Sequence, residues 1–304
     1  MAFEYELAKF IDFRDAEACR RVRAIKREDL CTHPNPAFTI RIIDNATEFY
    51  TAFALDIVGR IRTAADEGRP FVGIFPVGPM PQYPIAADLI NTHRLSCKHV
   101  HTFNMDEYAD QDGNTAPADW EGSFQRAMLQ EFFLKIDEEL RPPLEQIHFP
   151  DTQNIKSYSA MIEDMGGTDV CYGGIGWCGH IAFWECHLGH EFADMASYKQ
   201  AGARIVELHP MTIIQNALHS FGGDWSWVPP KAATIGPRDI LGARDRSFWL
   251  DGDLGGGVSW QRFIARLVAH GPVNRFVPGS ILQEAKTTYT ILGAVADNVE
   301  IHMA

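Results

Sequence analysis

Apolar β-type runs alternating with helix-type spacing constrain this chain more than any other feature. Phe38–Ile43 and Phe71–Phe75 read as strands, as do the runs at 99–103, 170–172, 231–235, 247–250 and Thr287–Leu292. The first is followed by Asp44 and Asn45, whose side chains can cap a helix, and then by Phe49, Phe53, Ile57 and Ile61 at helical spacing. The segments up to Ile90 and from Arg126 to Ile136 have the same helical character. Strands separated by helices predict an α/β fold with a doubly wound, mostly parallel sheet and helices on both faces. We expect one such domain at 37–304. Residues 1–36 read as an N-terminal extension, with a charged helical piece near 15–29 and a Pro-containing linker at 31–36.

A sheet of this kind binds ligands in the loops that follow the carboxyl ends of its strands. Three loops therefore matter most: 76–79, 104–108 and 173–185. The last reads Gly173-Gly174-Ile175-Gly176-Trp177-Cys178-Gly179-His180-Ile181-Ala182-Phe183-Trp184-Glu185. Its glycines allow a sharp turn and close approach of a ligand to the backbone. It presents an imidazole, His180, and a carboxylate, Glu185, close enough to tune one another. Asp106, expected in a loop after the third strand, is a candidate general base; Glu107 and Asp110 are weaker candidates.

A net charge of −13 excludes a general nucleic-acid surface and requires a local cluster of donors for any anionic ligand. No apolar run is long enough to span a bilayer, so no membrane partner is expected. Six cysteines without a regular framework, and a start lacking signal-peptide character, point to a cytoplasmic protein with reduced thiols. Residues 1–36 could serve a homo-oligomer contact, though no motif in them specifies one.

The run Thr102-Phe103-Asn104-Met105-Asp106-Glu107-Tyr108, together with 173–185, resembles the glucosamine-6-phosphate deaminase/isomerase family. Arg204-Ile205, the segment from Val228-Pro229 to Thr234-Ile235-Gly236, and Gly271-Pro272-Val273-Asn274 match in the same order. The similarity spans about residues 38–292. It implies aldose–ketose isomerisation of an amino sugar phosphate with loss of ammonia, without metal or organic cofactor. By position, Asp106 corresponds to the base that moves a proton between C1 and C2. His180 corresponds to the ring-opening group and Glu185 to its carboxylate partner. Gly78 falls in the phosphate loop, Arg204 matches a phosphate-binding arginine, and Arg262 lies next to the position of a phosphate-binding lysine, which is Gln261 here.

Three departures from the family pattern set further expectations. Cys178 stands where the family has an aspartate, which predicts a lower histidine pKa and poorer ring opening. The phosphate loop reads Pro76-Val77-Gly78-Pro79-Met80-Pro81, without hydroxyls and with fewer N–H donors. The lysine is lost at Gln261. Together they predict weakened phosphate recognition and a differently substituted sugar, unphosphorylated or acidic. The competing readings are a 6-phosphogluconolactonase-like hydrolase, a catalytically weak sugar-binding or regulatory protein, and a metal centre drawn from Cys178, His180, Cys186, His187 and His190. The spacings of that cluster match no standard zinc pattern, which favours the reading without a metal. Trp225 and Trp227 read as packing residues, a lid or a subunit contact.

Overall fold

The computed structural model describes residues 3, 5–301 and 303. Its centre is a seven-stranded sheet in which every pairing is parallel. In chain order the strands are β1 (Phe38–Ile43), β2 (Phe71–Phe75), β3 (Val100–Asn104), β4 (Asp106–Ala109), β5 (Ile147–His148), β6 (Val170–Gly173), β7 (Arg204–Glu207), β8 (Lys231–Thr234), β9 (Asp245–Leu250) and β10 (Thr287–Leu292). The main sheet runs β1-β10-β9-β6-β2-β3-β5, and a second, antiparallel sheet runs β4-β8-β7. The central strands β2 and β6 are buried at every position, which is why they read as unbroken apolar runs rather than alternating ones.

The order contains one reversal of direction. From β2 the chain steps outward to β3 and β5; from β6 it steps the other way, to β9 and β10. Right-handed crossovers then place the helices Gln82–Thr92 and Arg262–His270 on opposite faces. The helix Ala46–Asp66 starts at Asn45, whose side chain accepts the Glu48 N–H at 3.1 Å. Its Phe53 ring stacks on Trp249 of β9 at 4.4 Å between centroids. β2 and β6 are adjacent, so the reversal opens a crevice between the loops that follow them.

Several expectations need correction. Asp106 is not in a loop but is the first residue of β4. Residues 231–234 form a strand, but in the small antiparallel sheet rather than the parallel one. The helix expected at 126–136 spans Phe124–Glu131, followed by a 3-10 turn at Phe133–Lys135. The segment before β1 packs against the sheet domain: Val22 and Leu30 are fully buried, Ile25 C=O accepts from Arg266 Nε at 3.0 Å, and Arg27 pairs with Asp44 and Asp297.

Candidate functional site

A cavity of about 440 Å3 opens at the carboxyl edge of the sheet, over the reversal. The loop 76–81, the 174–180 turn, Asp106 at the head of β4 and Asp251 just beyond β9 all line it. The volume falls in the range of small-molecule sites.

The turn after β6 positions the imidazole. Gly179 has φ +86°, a conformation that a side chain would strain. Gly176 leaves room for a ring: a Cβ there would fall onto Nε2, Cε1 and Cδ2 of His180. The far end of the His180 ring therefore sits against bare backbone, with Nε2 on the side of Gly176 at the cavity wall.

Behind the ring, Nδ1 faces three partners: Thr212 Oγ1 at 2.9 Å, Glu185 Oε2 at 3.2 Å and Cys178 Sγ at 3.4 Å. Glu185 is fully buried and accepts from Thr212 Oγ1 at 2.9 Å, from Cys178 Sγ at 3.1 Å and from the His209 N–H at 3.2 Å. An anionic Glu185 accepts hydrogen bonds from the hydroxyl and the thiol, so the neutral imidazole carries its proton on Nδ1 and leaves the Nε2 lone pair open.

Burial works against an imidazolium here, but Glu185, with Cys178 beside it, more than offsets it and His180 titrates above the ordinary histidine range. Burial likewise opposes the Glu185 carboxylate, while His180, Cys178 and Thr212 hold it below the usual range. Burial pushes the Cys178 thiol well up, so Cys178 contributes an S–H donor and no charge. Despite the missing aspartate, Glu185 and Cys178 together favour the charged imidazole.

Asp106 is 4% exposed, and its Oδ1 is buried without a hydrogen-bond partner. Burial, then the neighbouring Glu107, raises it well above the usual carboxylate range. Glu107 points the other way along the strand. It accepts from Ser123 Oγ at 2.8 Å and from the N–H groups of Gln125 and Phe124 at 2.9 and 3.1 Å, capping the helix Phe124–Glu131. Asp110 folds its own loop by accepting from the Asp112 and Asn114 N–H groups at 2.9 Å. Of the three acids, Asp106 alone lines the cavity.

His180 and Asp106 thus share the cavity with Gly78, and Glu185 stands directly behind the imidazole. Arg204 and Arg262 do not line it, contrary to the expectation for both. The Arg204 guanidinium lies over Trp184 at 4.7 Å and pairs with Glu191 at 2.8 Å. Arg262 Nε donates to Ala294 C=O at 2.9 Å, and its other end faces Asp297 at 3.6 Å. Sequence reasoning missed Thr212, Tyr50, Asp251 and Gln215, whose Oε1 accepts the Trp177 N–H at 2.7 Å. Asp251 had a usable signal, since it immediately follows a strand.

The cysteine- and histidine-rich stretch is only partly convergent. Cys178, Cys186 and His209 bring ligand atoms within 4.8 Å of one another, a set that could hold a metal, while His190 turns to Asp12 at 2.9 Å. Trp225 and Trp227 are 66% and 60% exposed, so neither is a buried packing residue. Among the described residues no helix is long and apolar enough to cross a membrane.

Fold and site together define an α/β protein of the class shared by amino-sugar-phosphate deaminases and 6-phosphogluconolactonases. The structure of a monomeric glucosamine-6-phosphate deaminase of the NagB superfamily superposes with TM-score 0.71 at 22% identity, covering 84% of this chain and 98% of that one. A 6-phosphogluconolactonase from Thermotoga maritima superposes with TM-score 0.59 at 14% identity, covering 84% and 99%. In sequence, the chain is 34% identical over 212 residues to the glucosamine-6-phosphate deaminase of Caenorhabditis elegans, spanning 67% of this chain and 72% of the relative. The chain belongs to the glucosamine-6-phosphate deaminase family. No protein-family model matches it.

Proposed function

We propose that the protein opens the ring of an amino sugar, isomerises it from aldose to ketose and releases ammonia. The observation that carries this reading is a buried carboxylate with an unpartnered oxygen, Asp106, sharing one cavity with a Glu185-backed imidazole, His180. The imidazolium that Glu185 favours donates from Nε2 to the ring oxygen. The neutral imidazole then takes the C1 hydroxyl proton, which opens the ring and restores the histidine.

Asp106 next removes the C2 proton of the open-chain sugar and returns it to C1, while a proton passes from the 2-amino group to the C1 oxygen, converting the 2-amino aldehyde into a 1-hydroxy-2-ketimine. Water adds at C2 and ammonia leaves, so sugar plus water gives ketose plus ammonia with no oxidant or reductant. A carboxylate lifted above its ordinary pKa is the stronger base once ionised, which suits a carbon acid. In this scheme Cys178 and Thr212 act on Glu185 and the imidazole rather than on the sugar. The lactonase structures share the fold only, and the 34% identical deaminase favours the isomerase reading.

The deciding experiment follows ketose and ammonia from a panel of amino sugars, with 6-phosphogluconolactone hydrolysis in parallel. Formation of both products in equal amounts is expected. Lactone hydrolysis without ketose would overturn the reading.

A further inference from the structure

The cavity lacks the cationic side chains that hold a phosphate. Among the described residues it is lined by Asp106, Asp251 and Asp253, with His180 and His219, and by no lysine or arginine. A phosphate monoester carries about −1.5 to −2 charges near neutral pH. The arginines that sequence reasoning assigned to it lie outside the cavity lining: Arg204 packs on Trp184 and pairs with Glu191 through Nη1 alone, and Arg262 is held by Ala294 and Asp297.

The lysine position is filled by a structural amide. Gln261 is 2% exposed; its Oε1 accepts the Gly252 N–H at 2.8 Å and its Nε2 donates to Ile175 C=O at 2.5 Å. It ties the loop after β9 to the loop after β6. The loop 76–81 is equally poor in donors. Three of its six residues are prolines without an N–H, and Val77 and Met80 present apolar side chains to the cavity. Two of its carbonyls are held in place, Pro76 by Tyr83 Oη at 2.6 Å and Pro79 by Gln82 Nε2 at 2.5 Å.

What the cavity offers instead is acceptors. Asp251 follows β9, which lies three strand positions from β3 and the head of β4, on the other side of the His180 turn. Its Oδ2 accepts from Tyr50 Oη at 2.7 Å, an anchor that leaves the rest of the carboxylate for a ligand. Asp253 lines the same end. Carboxylates at a cavity wall bind hydroxyl groups and repel anions.

We propose that the substrate is an unphosphorylated amino sugar, a 2-amino-2-deoxyhexose whose end remote from Asp106 is a free hydroxyl bound by Asp251. This rests on the isomerase/deaminase reading above. The specificity is built by the lack of a lysine or arginine to receive a phosphate, together with contacts from Asp251 to the free hydroxyl.

The test compares glucosamine with glucosamine 6-phosphate on the intact chain, both by ketose and ammonia formation and by calorimetric binding. We expect glucosamine to be preferred by at least about tenfold in kcat/KM and in affinity. Asp253→Lys, a change at the cavity rim, should narrow that preference by about tenfold or more, by improving use of the phosphorylated sugar. Equal use of the two sugars, or preference for the phosphorylated one, overturns the inference. Absence of turnover with either sugar defeats the isomerase reading, and the binding comparison then decides this inference alone. Failure to bind either sugar counts against it.

Discussion

Gly176 lacks a side chain because His180 occupies its place: an added Cβ would coincide with the far edge of the imidazole. Gly176→Ala should therefore displace the ring and spare the sheet beneath it. A misplacement of about 1 Å is enough to lower turnover on the order of 100-fold. We expect that loss with an unchanged circular dichroism spectrum. Wild-type kcat in the alanine variant would refute the role given to the ring.

Asp106 is held as a buried carboxyl with an oxygen that meets no donor, an arrangement that costs stability whenever the group is ionised. Its folded pKa lies above the unfolded value, so its cost is absent in acid and appears as pH rises past the ordinary carboxylate range. Asp106→Asn should abolish turnover by about 1,000-fold or more and at the same time raise the melting temperature at pH 7, by on the order of 2 °C. Differential scanning calorimetry beside the ammonia assay reads both.

The pH–rate profile follows from the same two groups. The rise of kcat/KM on the acid side should fall above the usual carboxylate range, because Asp106 must ionise. The alkaline fall should lie above the ordinary histidine value of 6.5, because Glu185 retains the proton on His180. Stability has the matching signs. The raised His180 contributes fully below 6.5 and loses its contribution as pH passes the folded value; the lowered Glu185 contributes above 4.5 and loses it on acidification. An alkaline limb below 6.5 would contradict the pairing.

Thr212 holds Glu185 and His180 through one hydroxyl, 2.9 Å from each. Thr212→Val keeps the shape and removes that donor from a buried carboxylate, a loss of about 1–3 kcal/mol in stability. We expect kcat to fall about tenfold or more and the alkaline limb to move. Thr212→Ser should restore both; if it does not, the hydroxyl is not what matters.

The segment around Leu30, before β1, packs on the sheet domain, and a substitution there tests how much it contributes. Leu30 is fully buried, and its C=O accepts from His270 Nε2 at 3.0 Å. Leu30→Ala should cost about 2–5 kcal/mol in chemical denaturation, whereas a change in a detached arm would cost almost nothing.

Seven strands were legible: β1, β2, β3, β6, β9 and β10, because burial in a covered sheet demands apolar runs, and β8, whose place in the small antiparallel sheet was not. The four-residue strands Asp106–Ala109 and Arg204–Glu207 were not, because their pairing with β8 is non-local and their charged ends resemble turns. His180, Glu185 and Asp106 could be located from glycine spacing and from position after strands. Thr212 could not, since a threonine on a helix carries no mark of what it faces. Arg204 and Arg262 misled because position along a chain fixes a Cα, while Glu191, Trp184, Ala294 and Asp297 decide where the guanidinium goes.

Asp106 and Arg204 both stand opposite Thr234, one on each side of it in the small antiparallel sheet. Side chains alternate along such a ladder, so sliding β4 by a single residue would swing Asp106 away from the cavity and swing Glu107 in. The chain therefore keeps a second acid one step out of phase with the first. Insertions or deletions between β4 and β8 that alter this register would exchange one acid for the other without changing a single residue of the 173–185 turn.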